Sequence, residues 1–216
     1  MNGRAYRRVP RRARIAGALI AALAIAGCGT ANRPTTTASQ STTTSSTVPR
    51  ELLAQARPIG TGPSFRPPAT GPVLGPCRRG LGSRHGVHVE VFAADRVVII
   101  PAGIGTHPPR SYSEGRISSA GCYGDLVTVE PTGVVLVRPG LRLAVSDLFR
   151  AWGQPLSSRR LGPFIAPGNT RVAGFVDGQR WPGAPGSVPL AAHSEIVLEV
   201  GPHVPPHASY TFPPGT

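Results

Sequence analysis

Between about residues 77 and 201 the chain alternates short apolar runs with turn residues, which is typical of a mainly β domain. Residues 87–92 alternate strictly, with three valines on one face of a strand and His88 and Glu90 on the other. A fully apolar run, 97–100, follows after a short turn. The two runs therefore predict a first β-hairpin.

The same pattern recurs along the rest of this region. Residues 126–130 and 134–137 flank a Pro-Thr-Gly turn and predict a second hairpin. Residues 171–176 run into Asp177-Gly178, a dipeptide typical of the type I′ turns that close hairpins. Residues 196–200 are predicted to form the last strand.

One short helix interrupts the predicted strands. Ser146 is the predicted N-cap, and Leu, Phe and Trp side chains form an apolar stripe within residues 146–152. Gly153 followed by Pro155 ends the helix. The predicted fold class is therefore α+β and mainly β, a small domain of β-hairpins with one short α-helix.

The N-terminus has the features of a bacterial lipoprotein signal. Six arginines precede the apolar residues 15–27, and Ile25-Ala26-Gly27-Cys28 matches a lipobox. The apolar run is too short for a membrane-spanning helix, which needs about 20 residues. We expect residues 1–27 to be a signal peptide and Cys28 to carry a diacylglyceryl group, with an acyl chain such as palmitate on its amine. The alternative to a lipoprotein signal is an ordinary signal peptide. The export pathway could be either Sec or twin-arginine.

The composition changes twice after Cys28. Residues 28–76 are rich in Ser, Thr and Pro and are expected to form a disordered tether. Residues 77–201 form the predicted globular domain, and residues 202–216 form a Pro-rich tail. This organisation predicts a protein anchored by lipid to the extracytoplasmic face of the cell membrane.

Removal of the signal peptide would lower the net positive charge of the chain. All 23 basic residues are arginine, which is typical of a GC-rich genome such as that of an actinobacterium. Six of them lie within residues 1–27, so cleavage would lower the formal charge from +13 to +7. The remaining arginines are scattered without interleaved aromatic residues, which argues against nucleic-acid binding. Expected partners are the membrane, a cell-wall polymer or another envelope protein.

Export also constrains the three cysteines. With Cys28 lipidated, Cys77 and Cys122 remain to form a disulfide in an oxidising compartment. The alternative is a free catalytic thiol at Cys122 with His85 or His88 as its base, which would leave Cys77 unpaired.

No complete catalytic motif is found, so we predict no catalytic residues, no cofactor and no enzymatic activity. The loop 80–86 lacks the third glycine of a dinucleotide-binding motif, and no serine has a G-x-S-x-G context. Candidate metal ligands are His88, Glu90 and His193, which are too few for a closed site. His85 and His88 are expected on opposite faces of their strand, and His203 and His207 lie in the tail.

Three segments resemble an uncharacterised family of secreted or lipid-anchored bacterial proteins. They are residues 149–156 (FRAWGQPL), 189–196 (PLAAHSEI) and 209–215 (SYTFPPG). The W-G-Q-P-L and Y-T-F-P-P-G segments are specific to that family, and the likeness extends from about residue 77 to 215. Because the family has no assigned activity, the resemblance implies architecture more than function.

The resemblance also implies metal ligands that this chain lacks. Family members carry an H-x-H-x-H strand, an L-H-T-H segment and a later histidine, a set able to hold Cu, Zn or Ni. Here the first motif keeps only His88, with Arg84 and Gly86 at its other positions. The three later positions are apolar: Val127, Val129 and Leu136. We expect a metal site at the family's positions to be lost while the fold is kept.

These observations support three hypotheses about function. The first is a cell-envelope lipoprotein that acts as a non-catalytic binding or structural module. The second is an envelope metal-binding or metal-handling protein, and the third is a cell-wall enzyme.

Overall fold

The computed structural model describes residues 56–216. The expected signal peptide, Cys28 and the Ser/Thr tract lie outside these residues. The described part is a mainly β domain with one short α-helix, so the predicted fold class is confirmed. The strands are β1 (His85–Ala93), β2 (Arg96–Val97), β3 (Thr106–Ser113), β4 (Arg116–Tyr123), β5 (Leu126–Val127), β6 (Val134–Val137), β7 (Leu156–Ser157), β8 (Arg160–Leu161), β9 (Phe164–Ile165), β10 (Ala173–Val176), β11 (Gln179–Arg180) and β12 (Glu195–Val200).

Strand β1 is central to the main sheet, whose order is β11-β10-β12-β1-β6-β5, with β2 also paired to β1. It pairs antiparallel with β6 on one side and parallel with β12 on the other. The parallel register places His88 opposite Glu195. The sequence predicts both strands, but not that they are neighbours.

The two faces of this sheet have different neighbours. Val87, Val89 and Val91 point into the main core, which also contains buried residues of the helix. The opposite face carries two smaller apolar clusters, one with Phe92, Phe175 and Val204 and one with Val127, Val129 and Leu136. His88 and Glu90 lie on this second face of β1, as the alternation predicted.

Helix α1 (Val145–Trp152) begins two residues earlier than expected. Its N-cap is Ala144 and not Ser146, so that prediction was wrong. The Asp147 carboxylate accepts a hydrogen bond from the Ala144 backbone N–H at 2.9 Å. This contact satisfies the backbone donor at the start of the helix. Gly153 ends the helix in the left-handed conformation, with φ at 81°.

Two groups of strands were not predicted. The β3–β4 hairpin forms a separate two-stranded sheet, and β7–β9 form a three-stranded one. Strand β3 is mostly exposed and contains Pro108 and Pro109, so it has no apolar alternation to detect. The disulfide between Cys77 and Cys122 ties β4 to the segment before β1, with Cα atoms 5.3 Å apart. The predicted pairing is confirmed, and it excludes a free thiol at Cys122.

Residues 58–76 lie against the domain, although we expected them to belong to the disordered tether. Gly60 donates a backbone hydrogen bond to the Val97 carbonyl at 3.1 Å. The Trp152 indole N–H donates to the Pro67 carbonyl at 3.1 Å, and the Asp125 N–H donates to the Leu74 carbonyl at 2.8 Å. These contacts place the start of the ordered region before Cys77.

Within residues 56–216, no helix is long and apolar enough to cross a membrane.

Candidate functional site

A polar cluster lies in the middle of the second sheet face, between its two apolar clusters. His88 and Glu90 are two residues apart on β1 and therefore share a face, and the parallel register brings Glu195 of β12 beside them. One ligand-type atom from each of these three side chains lies within 4.8 Å of the others. Together they could hold a metal ion or share protons.

The His88 imidazole is held by a hydrogen bond at each ring nitrogen. Its Nδ1 lies 2.6 Å from Glu195 Oε2, so one proton is shared between these two atoms. Its Nε2–H donates to the Thr132 carbonyl at 3.0 Å. Gly133 follows with φ at 83°, and a Cβ there would lie 3.0 Å from Nε2, so a glycine is required at this turn. The Thr132 bond leaves Nδ1 as the nitrogen that faces the cluster.

Glu195 is buried with one of its oxygens unpartnered. The residue is 1% exposed, and Oε1 accepts no hydrogen bond from any described residue. Burial raises the pKa of Glu195 above its usual value of 4.5, which the hydrogen bond and charge of His88 partly oppose. A buried carboxylate without a full set of donors is costly, so a further hydrogen-bond donor or a cation at Oε1 would stabilise Glu195.

Replacement of Glu195 by glutamine is expected to remove a pH-dependent loss of stability. The folded chain holds the Glu195 proton more tightly than the unfolded chain does, because burial raises this pKa. As the pH rises above 4.5 the unfolded chain ionises first, so the free energy of unfolding of the wild type falls until the raised pKa is passed. Denaturant unfolding from pH 4 to 8, with a chelator present, measures this.

The difference in the free energy of unfolding, Glu195→Gln minus wild type, should therefore grow with pH and then level off. A difference that stays constant over this range would contradict a raised pKa for Glu195. Glu130→Gln, on a half-buried carboxylate that pairs with Arg116, is the matched control.

The C-terminal tail covers this cluster. His207 Nδ1 lies 2.7 Å from Glu90 Oε2, and the Tyr210 ring stacks on His88 with centroids 3.8 Å apart and planes 10° from parallel. Burial, followed by the charges of Glu195 and Glu130, raises the pKa of Tyr210. Tyr210 therefore stays a neutral phenol and covers the imidazole with an apolar ring.

The cluster has the composition of a transition-metal site. Imidazole nitrogens and carboxylate oxygens suit divalent ions such as Zn²⁺. Ligands in a tetrahedral site with bonds near 2.1 Å are about 3.4 Å apart, so the hydrogen-bonded pairs would open by roughly 0.7 Å around an ion. A surface cavity of about 910 Å³ reaches these side chains, which gives an ion a route from solvent.

The structure brings together two of the three predicted metal ligands. His88 and Glu90 are in the cluster, but His193 is exposed and lies against the Thr216 carbonyl, 2.6 Å away. His193 is therefore not part of this cluster. His85 faces the other side of β1, as predicted, and lies 3.3 Å from the Leu190 carbonyl.

Four positions that the sequence resemblance relates to histidines hold other side chains in this chain. Val127, Val129 and Leu136 pack in one buried apolar cluster. Arg84 is buried and donates to backbone carbonyls, including Gly124 at 2.7 Å. None of these four side chains belongs to the group of possible ligands, which is formed by His88, Glu90 and Glu195.

Glu195 and His207 were missed by the sequence analysis. Glu195 begins a strand whose residues are all buried, and a charged residue in such a strand is a signal that could have been used. His207 lies in a Pro-rich tail, and nothing local relates it to β1. The chain matches no protein-family model, no curated protein and no solved structure, so the family resemblance stays a prediction.

Proposed function

We propose that this protein is a non-catalytic metal-binding protein of the bacterial cell envelope. It binds a divalent transition ion through His88, Glu90 and Glu195. The observation that carries this proposal is the Glu195 carboxylate, fully buried with Oε1 unpartnered and Oε2 against His88 Nδ1. A cation between these atoms would supply the missing partner.

The charges and hydrogen bonds around the cluster support a divalent ion. Two ionised carboxylates and neutral imidazole balance a 2+ charge. The Thr132 carbonyl accepts the Nε2–H of His88 and so orients Nδ1 toward the ion, as hydrogen bonds from outside the ligand set commonly do for metal-bound histidines. Binding would displace the proton shared by His88 and Glu195.

The other two hypotheses account for less of the geometry. A binding or structural module without metal leaves the unpartnered oxygen of Glu195 unexplained. A cell-wall enzyme would need a cleft that gathers polar catalytic residues, and the disulfide removes Cys122 as a candidate nucleophile. The proposed ligands also differ from the family positions at 127, 129 and 136, where the side chains are apolar.

The proposed location rests on two independent features. The lipobox that ends at Cys28 predicts lipid attachment at the extracytoplasmic face of the membrane. The Cys77–Cys122 disulfide agrees with an oxidising compartment outside the cytoplasm. We propose that lipid holds the domain at the membrane, where its net positive charge favours contact with anionic lipid or wall polymer.

Calorimetric titration of Zn²⁺, Cu²⁺ and Ni²⁺ into purified, tag-free, chelator-treated protein tests this function. We expect one ion per chain, and about one proton released per ion when buffers of different ionisation enthalpy are compared. His88→Ala and Glu195→Gln should each weaken binding by at least about 100-fold, because each removes one ligand of the ion. Each tenfold change corresponds to about 1.4 kcal/mol of binding free energy.

His193→Ala is the matched control, because this exposed histidine lies outside the cluster. Its affinity should equal that of the wild type. Absence of binding by the wild type would overturn the proposal. So would binding that His193→Ala weakens and Glu195→Gln leaves intact. Thermal melts of each variant establish that it is folded.

A further inference from the structure

The C-terminal tail follows strand β1 in the opposite direction across the second sheet face. Val204 packs beside Phe92, and its backbone N–H donates to Glu199 Oε2 at 2.8 Å. His207 then reaches Glu90, Tyr210 stacks on His88, and Phe212 lies over Gly86, where an added Cβ would be 2.9 Å from the Phe212 ring. Each successive tail contact falls two residues further back along β1.

Side chains hold this tail in place. Five of residues 202–216 are proline, which has no N–H to donate. Within the described part of the chain, no backbone-to-backbone hydrogen bond joins these residues to the rest of the domain. The tail depends on apolar contacts, on the hydrogen bond between His193 and the Thr216 carbonyl, and on two pairs of histidine with glutamate. These pairs are His203 with Glu199 and His207 with Glu90, each with Nδ1 2.7 Å from a carboxylate oxygen.

The two pairs differ in what surrounds them. The carboxylate of Glu199 has both oxygens occupied within the tail contact, one by His203 and one by the Val204 N–H. Glu90 instead belongs to the cluster with His88 and Glu195. His207 is therefore the one tail histidine whose ring nitrogen lies against a possible metal ligand within the described residues.

We propose that His207 is the fourth ligand of the metal, so that binding of the ion fastens the tail over the site. This inference rests on the proposed function. Three ligands from β1 and β12 form an open site, and an imidazole from the tail completes a tetrahedral set. An ion held by His88, Glu90, Glu195 and His207 joins the tail to the sheet through bonds to metal, in place of the hydrogen bond between His207 and Glu90.

His207→Gln separates a ligand from a structural contact. Glutamine can still donate a hydrogen bond to Glu90 and hold the tail, but its amide is a poor ligand for Zn²⁺. We expect this variant to weaken Zn²⁺ binding by at least about tenfold. Bound Co²⁺ should change from the intense visible absorption of a four-coordinate ion to a weaker spectrum, because water molecules enter in place of the imidazole and raise the coordination number.

Fastening of the tail is measured by limited chymotrypsin digestion after Tyr210. Zn²⁺ should slow this cleavage in the wild type and have little effect in His207→Gln. His203→Gln is the matched control, since it alters the other pair of the same tail. Its Zn²⁺ affinity and Co²⁺ spectrum should equal those of the wild type.

The outcomes distinguish this inference from the function on which it rests. Zn²⁺ binding by the wild type that is equally tight in His207→Gln, with an unchanged Co²⁺ spectrum, would overturn the role of His207 and leave the three-residue site intact. Failure of the wild type to bind Zn²⁺, Cu²⁺ or Ni²⁺ would overturn the proposed function itself.

Discussion

Replacement of Cys77 and Cys122 by serine is expected to lower the free energy of unfolding by about 4 kcal/mol, because the disulfide closes a loop of 45 residues in the unfolded chain. The disulfide also holds the β3–β4 hairpin to the segment before β1. Arg78 and Tyr123 exchange two backbone hydrogen bonds, of 3.0 and 2.8 Å, right beside it. These bonds join the β3–β4 hairpin to the segment before β1.

Denaturant unfolding of the double variant measures this loss. Wild-type protein unfolded in the presence of a reductant is the control, and its stability should match that of the double variant. A loss below about 1 kcal/mol would show that the hairpin is held without the disulfide. A loss of the expected size would make the stability of the domain dependent on an oxidising compartment.

Replacement of Arg84 by methionine is expected to lower the free energy of unfolding by about 3 to 5 kcal/mol, since each buried acceptor left unpaired costs about 1 to 3 kcal/mol. Arg84 is buried, and its guanidinium donates to four carbonyls. These belong to Leu81 at 2.8 Å, Gly124 at 2.7 Å, Asp125 at 3.1 Å and Leu136 at 3.3 Å. Methionine fills a similar volume but donates no hydrogen bond.

Arg142→Met is the matched control, because Arg142 is exposed. Its effect on the free energy of unfolding should stay within about 0.5 kcal/mol. Equal stabilities of the two variants would contradict a structural role for Arg84. The burial of this cation also lowers its pKa below the usual value, with the nearby charge of Arg138 as the second cause. The charge of Asp125 opposes this decrease in the pKa of Arg84.

The elements that sequence predicted are those with local causes. Asp177 and Gly178 adopt φ values of 49° and 76°, as a type I′ turn requires, and they close the predicted hairpin of β10 and β11. Alternation in β1 correctly separated the valines of the core from His88 and Glu90. Helix α1 ends at the glycine that the sequence marked, since the left-handed conformation needed there favours glycine.

The unpredicted elements lack such local signals. Strand β3 is exposed along most of its length, so burial imposed no alternation on it. The parallel pairing of β1 with β12 joins His88 to Glu195 across more than 100 residues of chain. Hydrophobic pattern alone does not specify which strands become neighbours, because many pairings bury the same apolar faces.

In the candidate site, too, some residues could be predicted from local sequence signals and others could not. By itself, the sequence determined the mainly β class, the short helix that ends at Gly153, the disulfide and the shared face of His88 and Glu90, since each depends on local periodicity, turn chemistry or cysteine number. The tertiary structure alone decided that Glu195 joins those two residues, that His207 contacts Glu90, that His193 lies outside the cluster, and that Arg84 is a structural cation. Register between distant strands and the course of the tail set these contacts, and both depend on the packing of the whole domain.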